Sequence, residues 1–160
     1  MKKKRLFINI HYLEIGGAER ALLGLLSALD PEKVDIDLFV NQHTGEFMSL
    51  IPDYVNLLPE VSEYTCIERP IVTIVKEGHW KIAICRMWAK WKHRQYLRNL
   101  TTEEYHHDSS IFQYVANAVE EALPSLNNLG VYDLAISFLQ PHNIVLNKVK
   151  AQKKICWIHT

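Results

Sequence analysis

Two adjacent glycines, Gly16 and Gly17, are the residues of this sequence with the clearest potential for chemistry. They follow a short apolar run from Arg5 to Ile10 and precede a segment of helical periodicity. The first amides of a helix are unpaired and carry partial positive charge, and a glycine lets an anion approach them because no Cβ intervenes. The pair matches neither GxGxxG nor GxxxxGK[ST], which disfavours the common dinucleotide and P-loop types of site. Two interpretations stay open: a phosphate-binding loop, or a turn whose glycines need positive φ.

Polar side chains also follow the other predicted strands. In an open parallel sheet, ligands bind beyond the carboxyl ends of the strands, where helix amino-termini and chain-reversing loops converge. This rule predicts one rim of polar groups drawn from four loops. The candidates are His11, Tyr12, Gly16, Gly17, Glu19 and Arg20 after the first strand, Gln42, His43, Gly45 and Glu46 after the second, Gln140 and His142 after the fourth, and His159 and Thr160 after the last.

The elements that must position these residues alternate between strand and helix periodicity. We therefore predict an α/β fold: a Rossmann-like, doubly wound, mostly parallel sheet with helices on both faces, in a single domain. The second strand should lie nearer the sheet edge than the first, because its apolar residues alternate with aspartates. The predicted strands are Arg5 to Ile10, Val34 to Val40, Val55 to Leu58, Tyr132 to Leu139 and Lys154 to His159; the helices are Ala18 to Leu29, Ile71 to Leu100 with a weak point at Gly78, a segment capped by Ser110 with Gln113, and a short helix beginning at Pro141.

Composition excludes several classes of function. The 160 residues carry 18 basic and 18 acidic side chains, so no global field favours nucleic acid as a partner. Three cysteines outside any CxxC pair indicate neither a disulfide framework nor a zinc site. The apolar run near the amino terminus is too short for a signal peptide, and no run approaches the length of a membrane span. We expect a cytoplasmic protein in a reducing compartment.

Three segments of the chain carry a resemblance to a known family. Phe7 through Leu23, with its Gly-Gly-Ala-Glu-Arg loop, resembles the first strand, glycine loop and first helix of the family 4 glycosyltransferases, which have the GT-B fold. Tyr132 to Ser137 and Lys154 to Thr160 resemble that family's fourth and fifth strands, in the same order. Between Pro59 and Asn127 no family motif can be matched. The resemblance implies that residues 1–160 are the amino-terminal, acceptor-side half of a GT-B enzyme, without its nucleotide-sugar-binding second domain.

The resemblance also implies a reaction and a set of roles. Family members transfer a sugar from a nucleotide-sugar donor to a saccharide or lipid-linked acceptor with retention of configuration, usually without a metal or other cofactor. Gly16 and Gly17 would direct amides at the donor diphosphate, and His159 would be the catalytic residue, reaching the transferred sugar or the acceptor from the end of the last strand. Its alternative role is that of a polar residue that caps a strand. The chain alone should then be inactive. The alternative is a stand-alone α/β module that binds a phosphorylated or nucleotide ligand without catalysis. The remaining rim residues, facing the acceptor, would be His11, Tyr12, Arg20, His43, Gln140 and His142.

A basic and aromatic segment from Lys76 to Arg98 is the second feature of interest. It holds seven Lys or Arg against one acid, Glu77. At helical spacing its large apolar residues share one face, which is typical of helices that lie on anionic membrane surfaces. That interpretation would place the protein at the inner face of a membrane and favour a lipid-linked acceptor; the alternative is that this face packs on the sheet. The apolar residues are Trp80, Ile84, Met87, Trp88 and Trp91.

A neighbouring run, His106-His107-Asp108, could suggest metal ligands. Adjacent histidines point in different directions, and no further ligands have suitable spacing. We therefore expect a solvated loop there and predict no metal site.

Overall fold

One parallel sheet of five strands organises the computed structural model, which describes residues 2–98 and 110–158. The strand order is β3-β2-β1-β4-β5, and every pairing is parallel. The predicted α/β, Rossmann-like fold is therefore confirmed, and β1 lies in the centre with β2 nearer the edge, as expected. The strands are β1 (Lys4–Ile10), β2 (Val34–Val40), β3 (Asn56–Leu57), β4 (Val131–Ser137) and β5 (Lys150–Cys156).

Helices connect these strands. Helix α1 (Gly17–Ala28) links β1 to β2, and helix α6 (Asn143–Lys148) links β4 to β5, which lie on the other side of β1. Because parallel crossovers are right-handed, these two helices lie on opposite faces of the sheet. Among the described residues, none of the helices has both the length and the apolar character that crossing a bilayer requires. The helices are α1 (Gly17–Ala28), α2 (Ser62–Thr65), α3 (Ile71–Lys76), α4 (Trp80–Leu97), α5 (Ile111–Val119) and α6 (Asn143–Lys148), with 3-10 turns at Glu46–Leu50, Glu120–Ala122 and Asn127–Leu129.

The described residues divide into two compact units. Those up to Val61 and from Ser125 onward form the sheet unit, which holds all five strands, α1 and α6. Those from Ser62 to Pro124 form the helical unit, with α2 to α5. The helical unit coincides closely with the stretch in which no family motif can be matched.

The core of the sheet unit follows from the alternation of side chains along β1. Leu6, Ile8 and Ile10 belong to one buried cluster that includes apolar residues of β2, β4 and α1. Phe7 is also fully buried, and its ring centroid lies 6.1 Å from that of Phe39 and 5.3 Å from that of Tyr132. Strand β1 is thus buried on both faces, as its nearly continuous apolar run predicts.

The amino ends of the strands carry a charged network. The Tyr132 hydroxyl donates to Asp37 at 2.7 Å, and Arg5 and Asn56 donate to the same carboxylate at 3.3 Å and 2.6 Å. Burial, followed by the bond to Asp37, raises the pKa of Tyr132 well above its usual value. These contacts lie at the end of the sheet opposite to the rim, so we assign them a structural role.

Two predicted boundaries were wrong, and one predicted break was correct. Strand β5 begins at Lys150 and ends at Cys156, earlier than the predicted Lys154 to His159, because it is an exposed edge strand whose early residues lack an apolar run. Helix α6 begins at Asn143 rather than at Pro141, whose preceding peptide bond is cis. The predicted break at Gly78 is real, since its φ of +90° separates α3 from α4.

The predicted capping box at the start of α5 does not form. Ser110 already has helical torsions, φ −64° and ψ −17°, whereas a capping residue needs an extended backbone. Gln113 instead donates from its side-chain amide to Asn117 at 2.8 Å, one turn further along the helix.

Candidate functional site

The loops after β1 and β2 are joined to each other at the carboxyl edge of the sheet. Leu13 donates its amide to the Thr44 carbonyl at 2.9 Å and accepts from the Phe47 amide at 2.9 Å. Gly45 makes this approach possible: its φ is +109°, and a Cβ at this position would overlap the Leu13 backbone. The amide of His43 donates to the Glu60 carboxylate, and this bond connects the loop after β3 to the loop after β2. Backbone contacts therefore hold this part of the rim in one arrangement.

The glycine pair lies at this same edge. Gly16 is the capping residue of α1, with φ −152° and ψ 166°, and Gly17 is the first residue of the helix. Neither has positive φ, so the interpretation of the pair as a left-handed turn is wrong. The first hydrogen bond of α1 runs from the Arg20 amide to the Gly16 carbonyl, which leaves the amides of residues 17–19 outside the helical ladder.

The side chain of Glu19 lies against Gly16. The Glu19 side chain is buried, and its carboxylate lies so close to Gly16 that a Cβ there would overlap it. A carboxylate at this position is stabilised by the positive end of the helix. Around Gly17, in contrast, no other part of the described chain comes close to the position that a Cβ would take. The open approach to the helix terminus is therefore at Gly17, while Glu19 covers Gly16.

A buried polar network, which the sequence did not predict, lies below the rim. Asn9 and Asn41 are 1% and 3% exposed, and Asn9 donates its side-chain amide to Asn41 Oδ1 at 2.8 Å and to the Phe39 carbonyl at 3.1 Å. Among the described residues, Asn41 Nδ2 has no hydrogen-bond partner. The available signal was a lone asparagine inside an apolar strand, Phe-Ile-Asn-Ile, because such a residue must find buried partners.

The His142 ring is held by Ser137 in this site. Its Nδ1 lies 2.8 Å from the hydroxyl of Ser137, and that hydroxyl donates to the Leu139 carbonyl at 3.3 Å. In the tautomer in which Nδ1–H donates to this hydroxyl, and the hydroxyl in turn donates to Leu139, the neutral ring keeps its lone pair on Nε2. This Nε2 is buried and has no hydrogen-bond partner among the described residues. In that tautomer Nε2 is a hydrogen-bond acceptor that a ligand hydroxyl could satisfy.

Burial, and to a smaller degree the neighbouring His11, lowers the pKa of His142 below its ordinary value of 6.5. His11 directly follows β1 and is buried, and His142 lies in the loop after the neighbouring strand β4. After β1 the chain adds β2 and β3 on one side of that strand, and later adds β4 and β5 on its other side. This is the topological switch point at which α/β sheets bind ligands.

The other predicted site residues are distributed around this pair. Tyr12 and His43 are half-buried on the loops after β1 and β2, whereas Arg20 and Gln140 are exposed. His159 and Thr160 lie outside the described residues, as do His106, His107 and Asp108. Within the described ranges, no group of three or more His, Cys, Asp and Glu side chains is arranged to hold a metal ion.

The lowered pKa of His142 predicts a pH dependence. The unfolded chain binds the proton more readily than the folded one, so the free energy of unfolding should fall as the pH decreases from 6.5 through the folded pKa. We expect the imidazole signals of His142 to titrate below pH 6.5 in NMR spectra, and His142→Gln to remove this part of the acid sensitivity. A midpoint at or above the ordinary value would contradict the half-buried, neutral ring.

Comparisons of the chain with protein-family models, curated proteins and solved structures found no match. Any function assigned to the chain therefore rests on its own residues and geometry.

Proposed function

We propose that this chain is the amino-terminal, acceptor-side domain of a retaining glycosyltransferase with the GT-B fold, similar to family 4. The observation that supports it best is the presence of three features at one switch point: the glycine-led terminus of α1, buried His11, and half-buried His142 with its inaccessible Nε2. A phosphate-directed helix terminus and a hydrogen-bond acceptor are the two groups that sugar transfer needs on this side of a cleft.

The open amides at Gly17 would carry the electrostatic part of the reaction. They would stabilise the charge that develops on the donor diphosphate as the sugar leaves. The carboxylate of Glu19 repels an anion at Gly16, so the diphosphate would bind at the Gly17 side, or Glu19 would move away. Either case predicts weak binding by the isolated domain, with most donor contacts supplied by a second domain.

His142 would act on the acceptor side. Its Nε2 would accept a hydrogen bond from the attacking hydroxyl, and its lowered pKa would keep that nitrogen unprotonated near neutral pH. Tyr12, Arg20, His43 and Gln140 would line the acceptor path, and His159 stays a proposed contact to the sugar.

A titration with UDP tests the proposal. We expect saturable shifts at the amides of residues 17–19, together with perturbation of the His142 ring, and no sugar transfer by the chain alone. Robust turnover by the 160 residues would contradict the assignment to half of an enzyme. Phosphate binding in a protein whose reading frame ends after Thr160 would favour the binding module instead; a frame that continues with a second αβ pattern would favour the transferase.

A further inference from the structure

Helix α4 exposes the large apolar face that its sequence predicts. Each of its five large apolar side chains is at least half exposed. The relative exposures are 56% for Trp80, 52% for Ile84, 54% for Met87, 50% for Trp88 and 56% for Trp91.

The opposite side of α4 is the buried one, and Arg86 anchors it. Ala83 and Ala89 are nearly inaccessible, and the buried Arg86 guanidinium donates to the carbonyl of Cys66 at 2.7 Å and to that of Arg69. Burial lowers the pKa of Arg86. These contacts fix the rotation of the helix about its axis, so the aromatic face is directed outward by the packing of the helical unit itself.

Basic residues surround this face. Arg86 is buried, but Lys76 and Arg98 at the two ends of the segment, and the four between them, are exposed. The segment's single acid, Glu77, is paired with Arg69. At 100° per residue, Lys81 and Lys92 lie on one flank of the aromatic face, and Lys90 and Arg94 lie on the other.

Two of these lysines lie directly over tryptophan rings. Lys92 Nζ is 3.8 Å from the centroid of the Trp88 ring, and Lys81 Nζ is 5.7 Å from that of Trp80. Lysines that extend their stems along apolar surface while their ammonium groups stay in water are typical of helices at a lipid interface.

We infer that the exposed face of α4 binds an anionic lipid surface, with the helix lying in the plane of the interface. The apolar side chains would enter the boundary between headgroups and acyl chains, and the flanking cations would contact lipid phosphates. A second copy of this chain is a poorer occupant, because a symmetric contact would bring the same cations together. A general protein partner is also disfavoured, since protein interfaces are depleted in lysine. The inference rests on the helical unit alone and is independent of the sugar-transfer proposal.

Vesicle flotation with the whole chain tests the inference. We expect binding to phosphatidylcholine vesicles that contain about a quarter phosphatidylglycerol, little binding to phosphatidylcholine alone, and release by salt. Tryptophan emission should shift to the blue on binding, because three of the four tryptophans lie on this face.

Matched charge variants separate this face from a general charge effect. Lys81→Gln with Lys92→Gln should weaken binding by roughly tenfold or more, since each basic residue near the surface contributes about fivefold. Lys150→Gln with Lys153→Gln removes the same charge from exposed positions of β5 and should leave binding nearly unchanged. All four side chains are exposed, and circular dichroism checks that each variant is folded.

Two outcomes would overturn the inference. One is binding that does not depend on anionic lipid, or that both lysine pairs weaken equally. The other is a dimer in sedimentation equilibrium that Trp88→Ala with Trp91→Ala converts to monomer, because a second copy would then cover this face.

Discussion

Gly45→Ala should destabilise the sheet unit by about 3 to 5 kcal/mol, the largest effect that we expect from a single methyl group. The left-handed backbone of Gly45 costs an alanine about 1 to 2 kcal/mol. The new Cβ would in addition overlap the Leu13 backbone, so the bonds from Leu13 to Thr44 and from Phe47 to Leu13 could not both survive. Urea unfolding, followed by far-UV circular dichroism, measures the change.

Gly130→Ala is the matched control. Gly130 also has positive φ, at +92°, but the neighbour of its Cβ would be the end of the flexible Arg5 side chain, 3.1 Å away. This variant should lose only about 1 to 2 kcal/mol. Equal losses in the two variants would show that the contact between the β1 and β2 loops adds nothing to the cost of the backbone conformation.

Asn9→Leu should cost about 2 to 4 kcal/mol, because it leaves the buried Oδ1 of Asn41 without the side-chain amide that donates to it. Adding Asn41→Leu removes the stranded oxygen, so the double variant should be more stable than the sum of the single losses predicts. Urea unfolding of the four proteins gives the coupling free energy. Strict additivity would mean that the bond between Asn9 and Asn41 contributes nothing beyond the burial of each side chain.

The same network should matter for the site. Asn9 and Asn41 fix the ends of β1 and β2 directly below His11 and the loop that carries His43. Asn9→Leu should therefore also broaden the imidazole signals of His11 and His142, whereas a substitution elsewhere in the core would not.

Periodicity predicted most of the sheet unit. The strands β1 and β2 and the helix α1 were identified because burial on one or both faces leaves a clear apolar pattern in the sequence. Strand β5 was misplaced because an edge strand rich in exposed lysines leaves no such pattern. The carboxyl-edge rule located the rim, since it depends only on the order of strands and helices.

The contacts that define the site could not be predicted in the same way. The pair formed by His142 and Ser137 depends on the turn after β4, and the close approach of Glu19 to Gly16 depends on a rotamer. The exposure of the aromatic face of α4 could not be predicted for a different reason. Its aromatic stripe indicates which residues share a face, but only the packing of Arg86 and two alanines determines that this face is exposed.

The most direct measurement for the proposed site is the UDP affinity of Gly17→Val compared with that of Gly24→Val. Both glycines lie in α1 with open space where a Cβ would stand, so both variants should fold, but only residue 17 borders the free amides at the helix terminus. The proposed site predicts that Gly17→Val weakens UDP binding by roughly tenfold, the effect of losing a charge-assisted hydrogen bond, while Gly24→Val binds as the unmodified chain does. Equal affinity in the two variants would place the phosphate elsewhere and contradict the account.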